Sequence, residues 1–218
     1  MNATQNAKPA APIAGANAAA IGTNTPLLAA LSLRSDNIAI GPVLPNDTAT
    51  LFLWLNDVES ANLDLAFRPV DWMSYNAWLT DFTGNPSQVL FAIRHVSHAK
   101  IIGFVVLKSI QPVHRWAELG VRIGQVADRG KGYGTEATKL AVKYAWNHLN
   151  LNRVQLSVFA HNSRAIRAYT AAGFEIEGVQ RQAAFINGEW VDQVLMGILR
   201  TPQPTVPRAR KRNAAARA

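Results

Sequence analysis

Three strand-like segments follow one another between residues 88 and 124, with no helix between them. Residues 88–110 contain two apolar runs separated by a short polar turn. Residues 115–124 alternate strictly, with Ala117, Leu119, Val121 and Ile123 on one side and polar residues or glycine on the other. Such alternation is typical of a half-buried strand. Strands that are grouped in this way favour an α+β fold over a doubly wound parallel sheet.

The remaining elements surround these three strands. In chain order they are a strand at 37–44, helices at 45–57 and 71–82, a helix at about 133–149, a strand at 153–160, a helix at 162–173 and a hairpin at 179–199. Expected helix caps are Asn46 or Asp47, Asp71 and Asn162, and Asn187–Gly188 is the expected hairpin turn. The sequence therefore predicts a mixed, largely antiparallel central sheet of about seven strands, flanked by about four helices.

Both ends of the chain differ in composition from its middle. Eleven of the first thirty residues are alanine, and five positive charges after residue 200 leave only +3 of the net charge of +8 for the rest. We interpret residues 1–30 as a flexible alanine-rich extension, residues 31–200 as the folded domain and residues 201–218 as a basic disordered tail. Contact with nucleic acid is expected at most through this tail.

Several classes of protein are disfavoured by composition. The chain has no cysteine, which excludes disulfides, thiolate metal sites and a cysteine nucleophile. Its five histidines show no ligand-like pairing, so no metal is expected. No apolar run reaches the roughly 18 residues of a membrane span. The lack of cysteine and of an export signal fits a cytoplasmic protein without membrane contact.

A glycine-rich stretch, RGKGYG at residues 129–134, leads directly into the helix at 133–149. Glycines let an anion approach the backbone N–H groups, and a helix N-terminus behind them favours negative charge. Arg129 and Lys131 add positive charge. The loop by itself fits a tight turn as well as a pyrophosphate site, because it lacks the remaining features of a dinucleotide fingerprint or a Walker loop.

The wider pattern favours the pyrophosphate site. Glu118 on a strand is followed by Arg129-x-x-Gly132-x-Gly134, a helix, a strand and Asn162-x-x-Ala165-x-x-x-Tyr169-x-x-x-Gly173-Phe174. This order resembles the GNAT superfamily of acetyl-CoA-dependent N-acetyltransferases over about residues 36–199. Within it, HRWAELGV, AYTAAGFEIEG and FINGEW are similar to the branch of spermidine and ribosomal-protein N-terminal acetyltransferases. Residues 31–200 are therefore interpreted as an acetyltransferase domain.

The resemblance implies a role for each part of the pattern, with acetyl-CoA as the acetyl donor and no metal. Tyr169 is implied as the acid that protonates the leaving thiolate, and Glu118 as the base that acts on the amine. Asn162 is expected to cap its helix and also to contact the cofactor arm. The backbone that holds the pantetheine arm is implied to be Val121, Arg122 and Ile123, and the pyrophosphate loop to be Arg129, Gly130, Lys131, Gly132, Tyr133, Gly134 and Thr135.

Structural alternatives remain open for the two catalytic candidates. Tyr169 fits equally well as an aromatic core residue whose hydroxyl reaches the surface. Glu118 fits as a solvated strand glutamate that pairs with Arg122 or Arg115. His161, beside Asn162, is a weaker candidate for the base.

Acceptor specificity in this family comes mainly from the segment between the first two helices, here residues 58–72, and from the last hairpin. Few acidic residues occur in residues 58–72, which is unfavourable for a polyamine. Phe67, Trp72 and Glu118 are the expected substrate contacts, and the alternative for the two aromatic residues is that they pack the helices together. These features favour a moderately polar amine such as an amino sugar, with a polyamine-like amine still open.

The expected function is acetyl transfer from acetyl-CoA to a primary amine of a small molecule by direct attack. A protein or peptide N-terminus is the second candidate for the acceptor. A non-catalytic CoA-binding module with a basic interaction tail is the third hypothesis, and a homodimer is compatible with each of them.

Overall fold

The computed structural model describes residues 33–61, 63 and 67–201, in which an open eight-stranded sheet carries helices on both faces. The helices are Thr48–Leu55 (α1), Val58–Ala61 (α2), Trp72–Gly84 (α3), Tyr133–Asn147 (α4) and Ser163–Ala171 (α5). The strands are Leu33–Arg34 (β1), Ile38–Gly41 (β2), Val89–His95 (β3), Ile101–Gln111 (β4), Trp116–Ile123 (β5), Arg153–Phe159 (β6), Glu175–Ile186 (β7) and Glu189–Leu199 (β8).

The sheet has the strand order β1-β2-β3-β4-β5-β6-β8-β7, and every neighbouring pair is antiparallel except β5 with β6. The predicted mixed, largely antiparallel α+β fold is therefore confirmed. The additional strand, β1, has only two residues and is too short to show any periodicity. The four-residue helix α2 lies in a segment whose mixed composition predicted no element.

Each face of the sheet has its own apolar core. Helix α4 packs on the side that holds Ala117 and Leu119 of β5, together with the inward side chains of β2, β3, β4 and β6. Helices α1 and α3 pack on the opposite side through Leu51, Trp54 and Tyr75. The alternation predicted for β5 is thus confirmed, since the side chains of neighbouring residues in a strand point to opposite faces.

Local capping follows the sequence at two of the three expected positions. The Asp71 side chain accepts a hydrogen bond from the Ser74 N–H, and that of Asn162 accepts one from the Ala165 N–H. The third expectation is wrong in its chemistry. Asp47 occupies the N-cap position of α1, but its carboxylate makes no capping bond to that helix; it pairs with Arg94 on β3 and accepts the Leu44 N–H of the preceding turn.

The parallel strands β5 and β6 are paired over only part of their length. Their register covers only three positions, from Trp116 opposite Arg153 to Glu118 opposite Gln155. Beyond Glu118, β5 continues to Ile123 alongside β4, while β6 continues alongside β8. Within the described ranges no strand pairs with the open edge of β5 after Glu118, and a wedge opens there.

The two predicted tails lie outside the described residues, apart from Thr201. In the described part of the chain, no helix has the length and apolar character needed to cross a membrane.

Candidate active site

The wedge between β5 and β6 contains a cavity of about 500 Å³. Helix α5 closes it on one side and the glycine loop before α4 closes it at one end. Its wall is formed by Leu63, Val121, Arg122, Ile123, Arg129, Gly130, Gly132, Gly134, Thr135, Ser157, Val158, Asn162, Arg164, Ala165, Arg167, Ala168 and Tyr169.

The glycine loop adopts a conformation that glycine favours. Gly130 and Gly132 have φ angles of +79° and +85°, in the left-handed region that L side chains rarely adopt. A Cβ atom at either position would meet none of the described residues within 4 Å, so the loop faces open space in the described structure. Gly132 is the N-cap of α4, and the unbonded N–H groups of the first turn therefore begin beside it.

The only acidic residue in the first turn of α4 makes hydrogen bonds elsewhere in the described structure. Glu136 accepts hydrogen bonds from Ser35 Oγ at 2.5 Å and from Asn37 Nδ2 at 2.8 Å, at the turn between β1 and β2. Its carboxylate is thus hydrogen-bonded to a different part of the sheet from the wedge. The positive end of the α4 dipole stays available to an anion in the cavity.

Arg129 fastens the start of the glycine loop to the end of β5. Its Nε donates to the Ile123 carbonyl at 3.2 Å and its Nη2 to the Gly124 carbonyl at 2.9 Å. Two neighbouring residues of the loop lie outside the cavity wall. Lys131 pairs with Asp128 at 3.8 Å, and the Tyr133 ring packs edge-on against His95 with 5.6 Å between centroids.

The open edge of β5 presents backbone groups to the cavity. The Gly124 N–H donates to the Ile102 carbonyl, so alternate residues below it also bond to β4. The N–H and C=O groups of Val121 and Ile123 accordingly point the other way, into the wedge. The side chain of Arg122 leaves the wedge altogether, since its Nη1 donates to the Trp54 carbonyl at 3.1 Å and its guanidinium lies 5.8 Å from the Phe104 ring centre.

Tyr169 and Asn162 both lie on the cavity wall, as their positions on one helix face predicted. The Tyr169 ring is half-buried and packs against Phe174 with 6.0 Å between centroids. Asn162 caps α5 through Oδ1, and its Nδ2 donates to the Leu63 carbonyl at 3.1 Å. The cap of α5 therefore also holds the segment between α2 and α3 against the cavity.

Glu118 occupies the last paired position before β5 and β6 separate. It points to the face of the sheet that carries α1 and α3, opposite to Ala117 and Leu119. Its carboxylate lies 3.3 Å from Nζ of Lys108, its cross-strand neighbour on β4, and both side chains are partly exposed. The ion-pair partner is thus neither Arg122 nor Arg115. The latter bonds to Asn150, because a positive φ of +58° turns it out of the strand.

Residues 37–175 match the acetyltransferase (GNAT) domain family. This chain belongs to the GNAT family. It is 40% identical over 96 residues to the spermidine N(1)-acetyltransferase of Escherichia coli. This match covers 44% of this chain and 51% of the relative. It is 28% identical over 138 residues to the uS5-alanine N-acetyltransferase of the same organism, over 63% of this chain and 70% of the relative.

A solved structure supports the same fold. A spermidine N-acetyltransferase from Vibrio cholerae, solved in complex with CoA and spermine, superposes with a TM-score of 0.69 at 24% identity, over 76% of this chain and 96% of that one. The chain spans only 51–60% of the length of several curated relatives that it matches.

The two aromatic residues predicted to contact the substrate of this GNAT domain lie away from the cavity wall. Trp72 packs edge-on against Phe52 at 5.1 Å and tilted against Tyr75 at 5.9 Å, so it joins α3 to α1. Phe67 is exposed on the segment before α3. For Trp72 the structure favours the packing alternative.

The GNAT domain also contains a buried ion pair. Arg94 pairs through both terminal nitrogens with the carboxylate of Asp47, which also accepts the Leu44 N–H at 2.7 Å. The Tyr75 hydroxyl is buried nearby and has no hydrogen-bond partner among the described residues. Burial, and secondarily the charge of Asp47, raise the pKa of Tyr75 to about 12.

Among the described residues, the charged members of the cavity wall are Arg122, Arg129, Arg164 and Arg167. Arg164 and Arg167 were not predicted from the sequence, because exposed arginines on a helix resemble an ordinary solvated face, and neither were Ser157 and Val158 on β6. The helical spacing from Asn162 to Tyr169 was the signal that could have found the two arginines. In residues 33–61, 63 and 67–201, no group of three or more histidine or acidic side chains is arranged to hold a metal.

Proposed function

We propose that this protein is an acetyl-CoA-dependent N-acetyltransferase that acts on a primary amine of a small molecule. The observation that carries the proposal is the wedge at the β5–β6 junction, which joins an anion-binding loop, an open strand edge and a tyrosine in one cavity. CoA has matching parts, namely a pyrophosphate, a pantetheine arm with two amides, and a thiol.

The wall of the cavity fits CoA in charge and in hydrogen bonding. The left-handed Gly130 and Gly132 and the first turn of α4 offer backbone N–H groups to the pyrophosphate without a metal ion. Beyond Glu118, β6 no longer pairs with β5. The backbone N–H and C=O groups of Val121 and Ile123 can therefore pair with the amides of the pantetheine arm. Arg129 contributes a positive charge, and its bonds to two carbonyls hold it beside the loop.

Acetyl-CoA supplies a thioester whose carbonyl carbon is attacked by the neutral amine. The new C–N bond forms as the C–S bond breaks, the amine loses one proton and the sulfur gains one. Tyr169 is the proton donor to the sulfur, because it lies on the cavity wall two helical turns from Asn162. Glu118 accepts the proton from the amine, directly or through water, at the apex of the wedge.

The ion pair of Glu118 with Lys108 is compatible with a base of this kind. Both side chains are partly exposed, so the pair is weak and an incoming ammonium group can replace Lys108 beside the carboxylate. An acceptor would then lose its ammonium proton close to the group that attracted it. The carboxylate lies on the face of α1 and α3. An acceptor that approaches it from this face would enter on the side of the sheet opposite to the glycine loop.

The choice of a small-molecule acceptor rests on the relatives and on the charge of the site. Relatives that are 35–40% identical carry the name spermidine N(1)-acetyltransferase, but residues 58–72, on the acceptor side, contain only three acidic residues, which is few for a polycation. An amine with a single positive charge, such as an amino sugar, fits better.

A protein N-terminus is the second candidate for the acceptor. The uS5-alanine N-acetyltransferase relative aligns over 63% of this chain, against 44% for the Escherichia coli spermidine relative. The longer match supports this second candidate.

The test is release of free CoA thiol from acetyl-CoA, in the presence of amino sugars, polyamines, aminoglycosides or peptides with different N-termini. The protein has no cysteine and so adds no thiol signal of its own. Turnover with one amine class, above the rate without acceptor, supports the enzyme and identifies that class. CoA binding in calorimetry without turnover across the panel favours the non-catalytic module, and a lack of CoA binding contradicts both.

A further inference from the structure

Helix α5 carries two exposed arginines, Arg164 and Arg167, along the wall of the cavity. They are three residues apart, so their Cβ atoms lie about 5–6 Å from each other on the same side of the helix. Their guanidinium groups can therefore reach a common anion. This pair has no role in the acetyl transfer described above.

The positions of these arginines are electrostatically unfavourable for the helix itself. Arg164 lies in the first turn, where the helix dipole is positive and an acidic residue would be stabilising. The first turn of α5 has no acidic residue. Among the described residues, no acidic side chain forms an ion pair with Arg164 or Arg167 within 4.0 Å. Two neighbouring like charges also repel each other. An anionic ligand at this wall would relieve all three effects.

The glycine loop lies close to the same part of α5. Thr135, in the first turn of α4, donates its hydroxyl to the Ala168 carbonyl at 3.3 Å. Arg167 immediately precedes Ala168 and so lies beside the N-terminus of α4. A single ligand can therefore contact both the loop and the arginine pair, provided that it carries a second anionic group near its pyrophosphate.

We propose that Arg164 and Arg167 bind the 3′-phosphate of CoA and make the protein selective for CoA over 3′-dephospho-CoA. This inference rests on the proposed function, since it takes the pyrophosphate to lie on the glycine loop. With the pyrophosphate on the loop N–H groups, the ribose 3′-phosphate is the other anionic group of CoA. Guanidinium groups bind phosphate by charge-assisted, often bidentate, hydrogen bonds.

Isothermal calorimetry with CoA and with 3′-dephospho-CoA tests the proposal on the full-length protein. The test variant is the double substitution Arg164→Gln and Arg167→Gln. The control is Lys139→Gln with Lys143→Gln, because these exposed lysines lie on the helix behind the glycine loop and their removal changes the net charge equally. Circular dichroism establishes that each variant is folded.

The wild-type protein should bind CoA at least about tenfold more tightly than 3′-dephospho-CoA, the order expected from loss of one charge-assisted contact. The arginine variant should lose this preference by weakening for CoA alone, and the control should keep it. The preference should also decrease from 0.05 to about 0.5 M salt because exposed charges are screened.

Equal wild-type affinity for the two ligands would overturn the assignment while leaving the proposed function standing. An equal loss of affinity for both ligands in the arginine variant would also overturn it, because the two arginines would then bind the pyrophosphate that both ligands share. Failure of the wild-type protein to bind either ligand would instead remove the proposed function itself, and this inference with it.

Discussion

The two faces of the sheet are built by different means. On the face of α4 and α5, the site is an open cavity lined by backbone N–H groups, by glycines and by Arg129, Arg164 and Arg167. The face of α1 and α3 contains packed aromatic rings and a buried ion pair between Asp47 and Arg94. Substitutions on the first face should mainly alter ligand binding and turnover, whereas those on the second should mainly alter stability.

The largest effect is expected from Arg94→Ala on the stability side. Removing one member of a buried ion pair leaves the other charge buried without compensation, which costs roughly 3 to 5 kcal/mol of unfolding free energy. Urea denaturation followed by circular dichroism measures this loss. The matched control is Lys108→Ala, which breaks an exposed pair and should cost at most about 1 kcal/mol. Similar losses of unfolding free energy in the two variants would contradict the distinction between a buried and an exposed ion pair.

Next in size is Tyr169→Phe on the cavity side. Turnover should fall by roughly a hundredfold or more because the proton donor to the leaving sulfur is lost. The affinity for CoA and the unfolding free energy should change little, since the ring and its packing on Phe174 are retained. Steady-state kinetics with calorimetry on the same preparation measures both quantities.

The matched control for Tyr169→Phe is Tyr144→Phe, which removes a hydroxyl from α4, where the ring stacks on His148. Its turnover should stay at the wild-type value. Parallel losses of turnover and of CoA affinity in Tyr169→Phe would point to a packing role.

Gly134→Ala tests the two faces against each other, because it should weaken CoA binding and yet make the protein more stable. Among the described residues, the added Cβ would meet only Ile123 Cγ1, at 3.9 Å, which is an ordinary van der Waals contact. Alanine favours a helix over glycine by up to about 1 kcal/mol, and melting should therefore occur at a higher temperature. The same methyl group would occupy space on the cavity wall, and CoA affinity should fall by roughly tenfold, equivalent to about 1.4 kcal/mol.

The control for Gly134→Ala is Gly84→Ala, the last residue of α3, which has nothing within 4 Å of an added Cβ. It should leave CoA affinity unchanged. If Gly134→Ala bound CoA as tightly as the wild-type protein, the close approach of a phosphate to this turn would be ruled out.

The smallest effect concerns the pH dependence of stability on the α1–α3 face. The pKa of Tyr75 is raised to about 12 in the folded protein, against about 10 in the unfolded chain. Below pH 10 the phenol is protonated in both states. Between pH 10 and 12 the unfolded chain releases this proton first, so stability should fall as the pH rises.

Tyr75→Phe should lack this part of the decline and be about as stable as the wild-type protein near neutral pH, because the buried hydroxyl has no partner to lose. Thermal melting from pH 8 to 11.5 compares the two proteins. Identical pH profiles would show that Tyr75 does not titrate in this way.

The sequence predicted the elements on the face of α4 and α5 better than those on the face of α1 and α3. The RGKGYG loop, the amphipathic α4 and the cap at Asn162 are local patterns, and each depends on residues that are close in the chain. The partners of Glu118 and Asp47 depend instead on strand register across the sheet, which local patterns do not specify. For this reason Glu118 was given Arg122 or Arg115 as its alternative partner and Asp47 only a capping role, whereas the structure pairs them with Lys108 and Arg94.

The short β5–β6 junction divides the sheet into two blocks of strands that share three residue pairs. Under the proposed function, CoA bridges these blocks, since its arm lies along β5 and its phosphates contact the loop and α5. CoA would then contribute to the contacts that hold the two blocks of strands together. Amide hydrogens at Val121 and Ile123 would exchange with solvent slowly only when CoA is bound, and the resistance of the domain to proteolysis would follow the CoA concentration.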